Sequence, residues 1–333
     1  MEAHVVSNLV AVVLVAAGVA AWRRARRDEF WRGAARELVR RRPWALAAVG
    51  VFVLIALLDS VAWVGGGVAQ PRSALDRLFP ADFQERSYSA PLAEVEFYGG
   101  APLAHPGRHL MGTDILGRDT LHQMLKGARV ALLIGGVTSL LAIPLALLFG
   151  VSAGYVGGRL DGAVFFLMSV IASIPSLLLL VALIMVLGKG TVQVCVALGL
   201  TGWVGFCRIT RGETFKLREL DYVQAARALG ISEPRIVLAH IVPNLTHLVV
   251  VTFALMFSGL VLSEAILAWL GLGIDGSWGQ MIDQARDELA RDPIIAWNLL
   301  AAASALFGLI LAVNLVGDGL RDVLDPRTAR ERG

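Results

Sequence analysis

Long apolar stretches, each about the length of a membrane-spanning helix, constrain the fold of this 333-residue chain more than any other feature. A helix of ~20 apolar residues matches the hydrocarbon thickness of a bilayer. Only 17% of the residues are charged, and they cluster between the apolar stretches, whereas a soluble domain would scatter its charges along amphipathic elements. The sequence therefore predicts an all-α integral membrane protein with about seven transmembrane helices. The predicted spans are Val5–Trp22, Trp44–Val64, Val130–Ala153, Gly162–Leu187, Val192–Ile209, Leu245–Leu270 and Trp297–Val316.

Clustered arginines set the expected orientation of these spans. The segment Arg23–Arg42 contains nine arginines directly after the first span, and such clusters stay on the cytoplasmic side of a membrane. A secretory signal peptide carries its positive charge before the apolar stretch, so we expect Val5–Trp22 to be an uncleaved helix with Met1 outside. Within the cluster, Phe30–Val39 is expected to form a short helix at the membrane surface. The net charge of +3 then reflects topology rather than nucleic-acid binding.

This orientation divides the chain into regions that face different environments. The long polar segment after the second span lies outside, and the polar segment between the fifth and sixth spans lies in the cytoplasm. The expected regions are an extra N-terminal helix with an arginine-rich linker (1–43), the first core helix (44–64), a periplasmic or extracellular segment (65–128), the remaining core (129–320) with its cytoplasmic segment (213–243), and a cytoplasmic tail (321–333).

The most informative polar segment is Glu213–Pro243, which separates the fifth and sixth spans. Its apolar residues recur at helical spacing over Leu217–Leu229, which predicts a first amphipathic helix. Gly230 occupies the position where a helix ends on a left-handed residue. Ser232 is placed to cap a second helix that Pro243 would stop. The segment is therefore expected to form two short helices joined by a tight turn.

Two general interpretations of this helix pair are a DNA-binding helix-turn-helix and an ordinary cytoplasmic loop. Apolar spans flank both ends of the pair, which places it against a membrane surface. Its second helix is also not strongly basic, because Arg235 is the only Arg or Lys between Ser232 and Pro243. These observations exclude nucleic acid as the expected partner.

A second motif ends the outer segment. Residues Gly112–Asp119 read GTDILGRD, and the tripeptide Gly127–Arg129 follows them. Asp114 or Asp119 can cap the helix that comes next, and the glycines permit a tight turn. The motif is therefore either a capped helix entry or part of a gate at the outer face.

Residues within or beside the spans supply further candidates. Pro175 is expected to break the fourth span, as transmembrane helices tolerate. Glu264 lies roughly 28 Å along the sixth span, near its outer end, and an acid there is a functional hypothesis by default. Trp278 begins a short motif after that span. His105 and His109 lack a convincing third ligand nearby, so no metal site is predicted.

The cytoplasmic segment resembles the "EAA" coupling loop of bacterial ATP-binding-cassette (ABC) importers. That loop combines an acid followed by two alanines with a glycine and a proline at fixed spacing, and Ala225, Ala226, Gly230 and Pro243 match it. Gln224 replaces the acid. The resemblance gives a third interpretation, in which the helix pair contacts an ATPase.

Other motifs narrow the resemblance to the second-type, or C-type, permease subunit of the oligopeptide, dipeptide and nickel importer family. The outer motif at 112–119, the tripeptide at 127–129 and the segment NLVGDGLRDVLDP at 314–326 are all similar to signatures of that subunit. The resemblance extends over residues 44–327. The first helix departs from the usual six-span pattern of the family.

The resemblance implies a six-helix type I importer core in the bacterial cytoplasmic (inner) membrane, with one extra helix. The chain would be a non-catalytic half of a heterodimeric pathway for peptides, with a homologous permease, two ABC ATPases and an external binding protein as partners. It would bind no cofactor, because ATP and Mg²⁺ belong to the ATPases. The implied coupling residues are Gln224, Ala225, Ala226, Arg227, Gly230, Ile231, Ser232 and Pro243. The gate or pathway candidates are Asp114, Arg118, Asp119, Arg129, Pro175, Glu264 and Trp278.

Two other functional classes remain as alternatives to a peptide permease. A permease of the same family for nickel or another non-peptide solute keeps every motif and differs only in cargo. An intramembrane enzyme would need paired catalytic groups at bilayer depth, such as a HExxH motif, and the spans contain none.

Overall fold

The computed structural model of the protein describes Arg23 and residues 29–65, 68–79 and 84–324. The predicted first span, Val5–Trp22, and the end of the tail, 325–333, lie outside the described residues. Within the described part, five helices are long and apolar enough to cross a membrane, or six if one bent pair forms a single span. This result confirms the predicted all-α membrane fold.

The chain forms two compact units, which are described separately. The first contains the described residues up to Leu133 together with Leu262–Leu315. The second contains Ile134–Val261 and the described residues from Val316 onward.

The first unit begins with two helices, α1 (Glu29–Arg41) and α2 (Pro43–Ser60). Helix α1 is amphipathic and includes the helix expected at Phe30–Val39, whose position at the membrane surface stays a prediction. Helix α2 is the second predicted span, but it ends at Ser60 rather than Val64. The residues after α2 enter a β-strand, so the chain is extended there.

A small hairpin follows α2 in the outer segment, where the sequence predicted no regular structure. Strand β1 (Ala62–Gly65) pairs antiparallel with β2 (Val68–Ser73), and Ala62 lies opposite Ser73. Helix α3 (Ala74–Leu78) comes next. Ser73 and Asp76 form a capping box at its start, since each side chain accepts a hydrogen bond from the other residue's backbone N–H. This reciprocal cap explains why a helix begins directly at the end of the hairpin.

Helix α4 (Thr120–Val156) begins well before the predicted start of the third span at Val130. The Asp119 carboxylate accepts a hydrogen bond from the backbone N–H of His122 at 3.0 Å, which caps this early start. The helix continues through Pro144 and past Ala153, the predicted end of the span, to Val156.

The fourth predicted span is two helices. Helix α5 (Gly158–Ser173) starts after Gly157, whose φ is 71°, and α6 (Ser176–Leu187) follows at an angle of 89°. The break falls at Ile174 and Pro175, as predicted for the proline. This angle is too sharp for a kink within one helix. Proline has no backbone N–H to donate and disfavours the helical conformation at Ile174, so one helix ends and another begins.

The fifth span, α7 (Thr191–Arg218), extends beyond its predicted end at Ile209. The first helix of the cytoplasmic segment is therefore shorter than predicted: α8 covers Asp221–Ala228. The residues from Glu213 to Arg218 belong to the span instead.

The next helix, α9 (Glu233–Trp269), is continuous from the cytoplasmic segment through the sixth span. The prediction that Pro243 stops a short helix is wrong. The residues Val237–Ile241 form a π turn and Val242–Leu245 a 3₁₀ turn before the α-helix resumes at Thr246. These turns shift the hydrogen-bond register around the proline, which has no N–H to donate.

Two helices complete the chain, α10 (Trp278–Leu289) and α11 (Trp297–Leu324). Helix α10 carries the charged residues Asp283, Arg286, Asp287 and Glu288. It is amphipathic, and the Ser277 side chain accepts a hydrogen bond from the N–H of Gln280 at its start.

In the second unit, α4 and α7 pack at close range through glycines. A Cβ atom at Gly154 would lie 2.7 Å from both the Arg211 carbonyl oxygen and the Thr214 Cβ, so a larger residue does not fit. Gly150, one turn earlier, faces Thr210 in the same way. Small residues at this spacing allow membrane helices to approach closely. The contact fixes the end of α4 against α7.

Candidate functional site

Helix α8 packs onto the second unit through one face. Val223 and Ala226 are buried in a cluster of apolar side chains from α4 and α9. Burial stabilises a large apolar side chain by roughly 1.5–3 kcal/mol, so this cluster fixes α8 to both helices. The other buried members of the cluster are Val151, Tyr155, Ile236, Ile241 and Leu245.

Gly230 closes α8 with a left-handed residue, as the sequence predicted. Its φ is 75°. The N–H of Gly230 donates to the carbonyl of Arg227 at 3.0 Å, and the N–H of Ile231 donates to the carbonyl of Ala226 at 3.2 Å. These two bonds are the Schellman pattern. They turn the chain sharply from α8 into α9.

The opposite face of α8 and its closing turn are exposed. Leu229 is 81% exposed, which is unusual for a large apolar residue outside a membrane span. Around it lie small, polar and charged side chains that leave the backbone accessible. The exposed residues of this face and turn are Asp221, Tyr222, Gln224, Ala225, Arg227, Ala228, Leu229 and Gly230.

The two alanines of the motif have different environments. Ala225 is exposed, whereas Ala226 is 6% exposed and belongs to the buried cluster. The expectation that Ala226 contacts a partner is therefore wrong, because the chain's own helices cover it, whereas for the exposed Ala225 such a contact stays a prediction. Ala226 is small because it must pack against the chain's own helices, since adjacent helical residues point in directions about 100° apart.

Gln224 links α8 to the end of α7. Its side-chain amide donates a hydrogen bond to the Arg218 carbonyl at 2.9 Å. The Arg218 guanidinium in turn donates to the Gly154 carbonyl at 3.0 Å, near the end of α4. A carboxylate could not make the first bond, because it accepts hydrogen bonds and donates none when ionised. The glutamine therefore has a local structural role that the acid of the motif could not fill.

An ion pair joins α8 to the start of α9. The Arg227 Nε lies 3.2 Å from a Glu233 carboxylate oxygen, and the Tyr155 hydroxyl donates to the same carboxylate. Arg227 also lies over the Tyr155 ring, 5.4 Å from its centroid. Both charged side chains are well exposed, so solvent screens the pair and it adds little to stability. Its effect is to orient the two helices.

The remaining residues of the motif follow the turn. Ile231 is half-buried beside the apolar cluster, and Pro243 is exposed. The Ser232 side chain makes no capping hydrogen bond, contrary to the prediction. The Pro234 nitrogen has no hydrogen to donate, and the Arg235 N–H bonds to the Ser232 carbonyl at 2.9 Å instead.

In the first unit, the outer motif is a tight loop held by Asp114. Its buried carboxylate accepts hydrogen bonds from the backbone N–H groups of Leu116 and Arg118, both at 2.9 Å. It also forms an ion pair with the Arg118 side chain at 2.7 Å. Gly117 has a φ of 72°, and a Cβ there would overlap the carbonyl of Glu85. Asp114 therefore shapes the loop, and Asp119 is the residue that caps α4.

His109 bridges two acids beside this loop. Its Nδ1 lies 2.8 Å from a carboxylate oxygen of Asp119 and its Nε2 lies 3.6 Å from Glu85. The hydrogen bond with Asp119 is the main cause that raises the pKa of His109 above its usual value of 6.5. Glu85 also accepts backbone hydrogen bonds from Ala104 and His105. His109 is therefore a buried link in the outer segment, not a surface residue.

Arg129 pairs with an acid that the sequence analysis overlooked. Its Nε lies 3.1 Å from a carboxylate oxygen of Asp59, a residue near the end of α2 that is 2% exposed. Lys126 lies 3.7 Å from the other oxygen, which also accepts a hydrogen bond from the Ser73 hydroxyl at 3.0 Å. These contacts tie α2 and the hairpin to α4.

Asp76 extends this set of charges. Its carboxylate lies 2.6 Å from the Lys126 ammonium and 3.2 Å from the His122 imidazole. The hydrogen bond with His122, followed by those from Lys126 and Ser73, holds the pKa of Asp76 well below its usual value of 3.8. Asp76 therefore stays ionised and keeps α3 against α4 at any physiological pH.

Trp278 and Glu264 lie near the start of α10. The Trp278 indole N–H donates to the Met124 carbonyl at 2.7 Å, and a Cβ at Gly127 would overlap the indole ring. Glu264 is 4% exposed and accepts a hydrogen bond from the backbone N–H of Ile274 at 3.4 Å. Both side chains pack inside the first unit. Glu264 is thus a buried residue with a structural contact and not a solvated one.

Six of the seven gate candidates lie in the first unit. Asp114, Arg118 and Asp119 share one loop, whereas Arg129, Glu264 and Trp278 lie elsewhere in that unit. Pro175 is exposed at the break between α5 and α6, in the other unit. Among the described residues, no group of three or more His, Cys, Asp or Glu side chains could hold a metal ion.

Sequence reasoning missed Asp59, Tyr155 and Glu233. A signal for Asp59 was present, because an acid inside a predicted span is unusual and calls for a partner. No local signal identifies Tyr155 and Glu233 as partners. They are far apart in the sequence and meet only after α4 and α9 have packed.

Comparison with known protein families places the chain in a known class. Residues 146–330 match the family described as "Binding-protein-dependent transport system inner membrane component". The chain belongs to this family of ABC importer permeases, and it is a component of the inner membrane. The identification made from the motifs is thereby confirmed.

The names of individual relatives are more specific than the description of the family. The chain is 34% identical to the oligopeptide transport system permease protein OppC of Haemophilus influenzae over 224 residues, which is 66% of this chain and 71% of the relative. It is 35% identical to the dipeptide transport system permease protein DppC of Bacillus subtilis over 67% of this chain and 70% of the relative. A putative peptide transport system permease protein of Brucella suis is 33% identical over 88% of this chain and 90% of the relative.

Solved structures agree with this fold. An inward-facing structure of the MetNI methionine ABC transporter has a chain that superimposes with a TM-score of 0.52 at 20% identity. The match covers 61% of this chain and 97% of that one. At this identity the similarity supports the type I importer fold alone.

Proposed function

We propose that this chain is the permease subunit of an ABC importer that takes up peptides, and that it pairs with a second, homologous permease. Relatives whose names specify oligopeptide or dipeptide transport support the peptide cargo. They favour it over nickel or another non-peptide solute. The observation that carries the mechanism is α8, a short helix anchored on one face and exposed on the other.

Helix α8 and its closing turn form the contact through which an ATPase moves the permease. Val223 and Ala226 bind the helix to α4 and α9, so a force on its exposed face reaches both spans. Ala225 presents a small side chain that permits close approach, and Leu229 offers an apolar contact. Gly230 fixes the angle between α8 and α9.

The partner ATPase subunits hydrolyse ATP. The ATPases bind ATP and Mg²⁺ and close on them, and this closure rocks the permease helices between inward and outward access. The chain itself binds no cofactor and performs no covalent step. Its role is to form half of the pathway.

The outer segment of the first unit faces the binding protein that delivers the cargo. It is too long for a simple connector. The hydrogen bonds of Asp114 and the Asp59–Arg129 pair hold it as an ordered structure on α2 and α4. Removal of residues 84–102 should impair uptake and leave the ATPases attached, whereas unchanged uptake would exclude the segment from this role.

Mass spectrometry of the ligand retained by the partner binding protein tests the cargo. The proposal expects short peptides, and uptake of a labelled peptide should require this chain. A metal complex or another non-peptide solute in the binding protein would overturn the peptide assignment. That outcome would leave the assignment of α8 intact, because coupling does not depend on the cargo.

A further inference from the structure

Helix α1 presents an exposed apolar stripe next to its buried face. Ala34 and Leu38 are buried, and α1 packs against α2. At 100° per residue, Ala35 and Val39 lie on the adjoining side of the helix. Both are exposed, and Val39 is 58% exposed. An apolar stripe therefore remains uncovered beside the contact with α2.

A row of arginines flanks that stripe. Arg32, Arg36 and Arg40 recur every fourth residue and lie along one side of α1. All three are exposed. Glu37 lies on the far side of this row and pairs with Arg41 at 2.6 Å and with Arg40 at 3.3 Å. Helix α1 as a whole contains four arginines and two acids, Glu29 and Glu37, so it keeps a net positive charge.

An exposed aromatic residue follows α1 at the start of α2. Trp44 lies in the first turn of that span and is 87% exposed. Tryptophan is enriched where membrane helices meet the headgroup region. Helices that combine an apolar stripe with flanking arginines lie in the plane of the membrane interface, and basic side chains there attract anionic lipids.

We propose that α1 is a docking surface for anionic phospholipid in the cytoplasmic leaflet. Val39 and Trp44 enter the interface, and Arg32, Arg36 and Arg40 bind the phosphate groups of the lipid. The charge of the row is complementary to these headgroups, and the adjacent apolar side chains match the lipid beneath them. Lipid composition would then control how firmly the start of α2 is anchored. This inference does not depend on the cargo or on α8.

The test uses the full chain in nanodiscs of phosphatidylcholine, with or without phosphatidylglycerol. A Val39→Cys variant is labelled with an environment-sensitive fluorophore, and the chain's own Cys195 and Cys207 are buried. Phosphatidylglycerol should shift the emission to shorter wavelength, as the label enters the interface. High salt should reverse this shift, since it screens exposed charges.

A triple variant removes the arginine row. Each basic residue near an anionic surface contributes about 1 kcal/mol, or roughly fivefold in affinity, so Arg32→Gln, Arg36→Gln and Arg40→Gln together should lower the docked population about 100-fold. The response to phosphatidylglycerol should then disappear. The matched control removes the same charge from exposed arginines of the outer segment, and it should keep the response. Its substitutions are Arg77→Gln, Arg86→Gln and Arg108→Gln.

Three results would overturn the proposal. One is identical emission from the parent protein in both types of nanodisc. Another is an equal response from the two triple variants, which would indicate a non-specific effect of net charge. The third is an emission change that needs added ATPase subunits rather than phosphatidylglycerol, which would make α1 a surface for protein.

Discussion

Substitution of Gly230 by valine tests the geometry on which coupling depends. The residue has a φ of 75°, and no heavy atom lies within 4 Å of the position that a Cβ would take. The penalty is therefore conformational and does not come from overlap. A left-handed backbone costs a residue with a side chain about 1–2 kcal/mol, and a β-branched residue fits it badly. We expect the native turn to lose roughly tenfold in population relative to rearranged turns, because 1.4 kcal/mol corresponds to a factor of ten.

Co-purification of the ATPases and peptide uptake measure the effect. Gly230→Val should weaken both, and Gly230→Asn should retain most of each, because asparagine tolerates the left-handed region. Gly212→Val is the matched control, since Gly212 lies inside α7 and an added Cβ meets nothing within 4 Å. If Gly230→Val behaves like Gly212→Val, the turn does not matter for coupling. If Gly230→Asn fails as Gly230→Val does, backbone conformation is not the cause.

Three further predictions concern stability, each measured by thermal unfolding of the purified protein. Asp59→Asn should lower the free energy of unfolding by about 3 kcal/mol. This is the lower end of the range for breaking a buried ion pair, because the Arg129 side chain is still 33% exposed. An unchanged unfolding transition would contradict the pairing. Gly154→Leu should lower the free energy of unfolding by about 1–3 kcal/mol, because the larger side chain forces α4 away from α7. Gly136→Leu is the control and should lower it less, since an added Cβ at Gly136 meets nothing within 4 Å. The hydrogen bond with an acid raises the pKa of His109 above 6.5, so protonated His109 stabilises the outer segment at low pH, and this contribution is lost as pH rises through the raised pKa. His109→Gln should therefore flatten the fall in stability as the pH rises from the usual pKa of 6.5 through the raised one, and equal slopes would refute the role.

The parts of the fold that follow from local physics could be predicted from the sequence. A bilayer demands long apolar helices, so the spans in the described part of the chain were recognisable from their apolar residues. The positive φ of Gly230 followed from its place at the end of an amphipathic stretch. Asp119 was correctly considered as a cap, but only the structure shows that its helix starts at Thr120.

The parts that depend on packing could not be predicted. The partner of Asp59 is Arg129, and nothing in either neighbourhood indicates the other. The burial of Ala226 depends on where α4 and α9 pass beneath α8. The continuity of α9 through Pro243 depends on a π turn followed by a 3₁₀ turn, and a rule that treats proline as a helix stop misses such an arrangement.

Site-directed crosslinking tests the central claim that α8 and its turn contact the ATPase. Single cysteines at Ala225 and Leu229 would be exposed. Val186→Cys is the control, because Val186 is 84% exposed at the end of α6, away from α8 in the sequence. The assembled transporter is treated with a short bifunctional thiol reagent, with cysteines introduced along the ATPase groove.

The account predicts crosslinks from Ala225→Cys and Leu229→Cys to the ATPase, a yield that changes when ATP is added, and none from Val186→Cys. Absence of crosslinks from both α8 positions in a transporter that still imports peptide would contradict it.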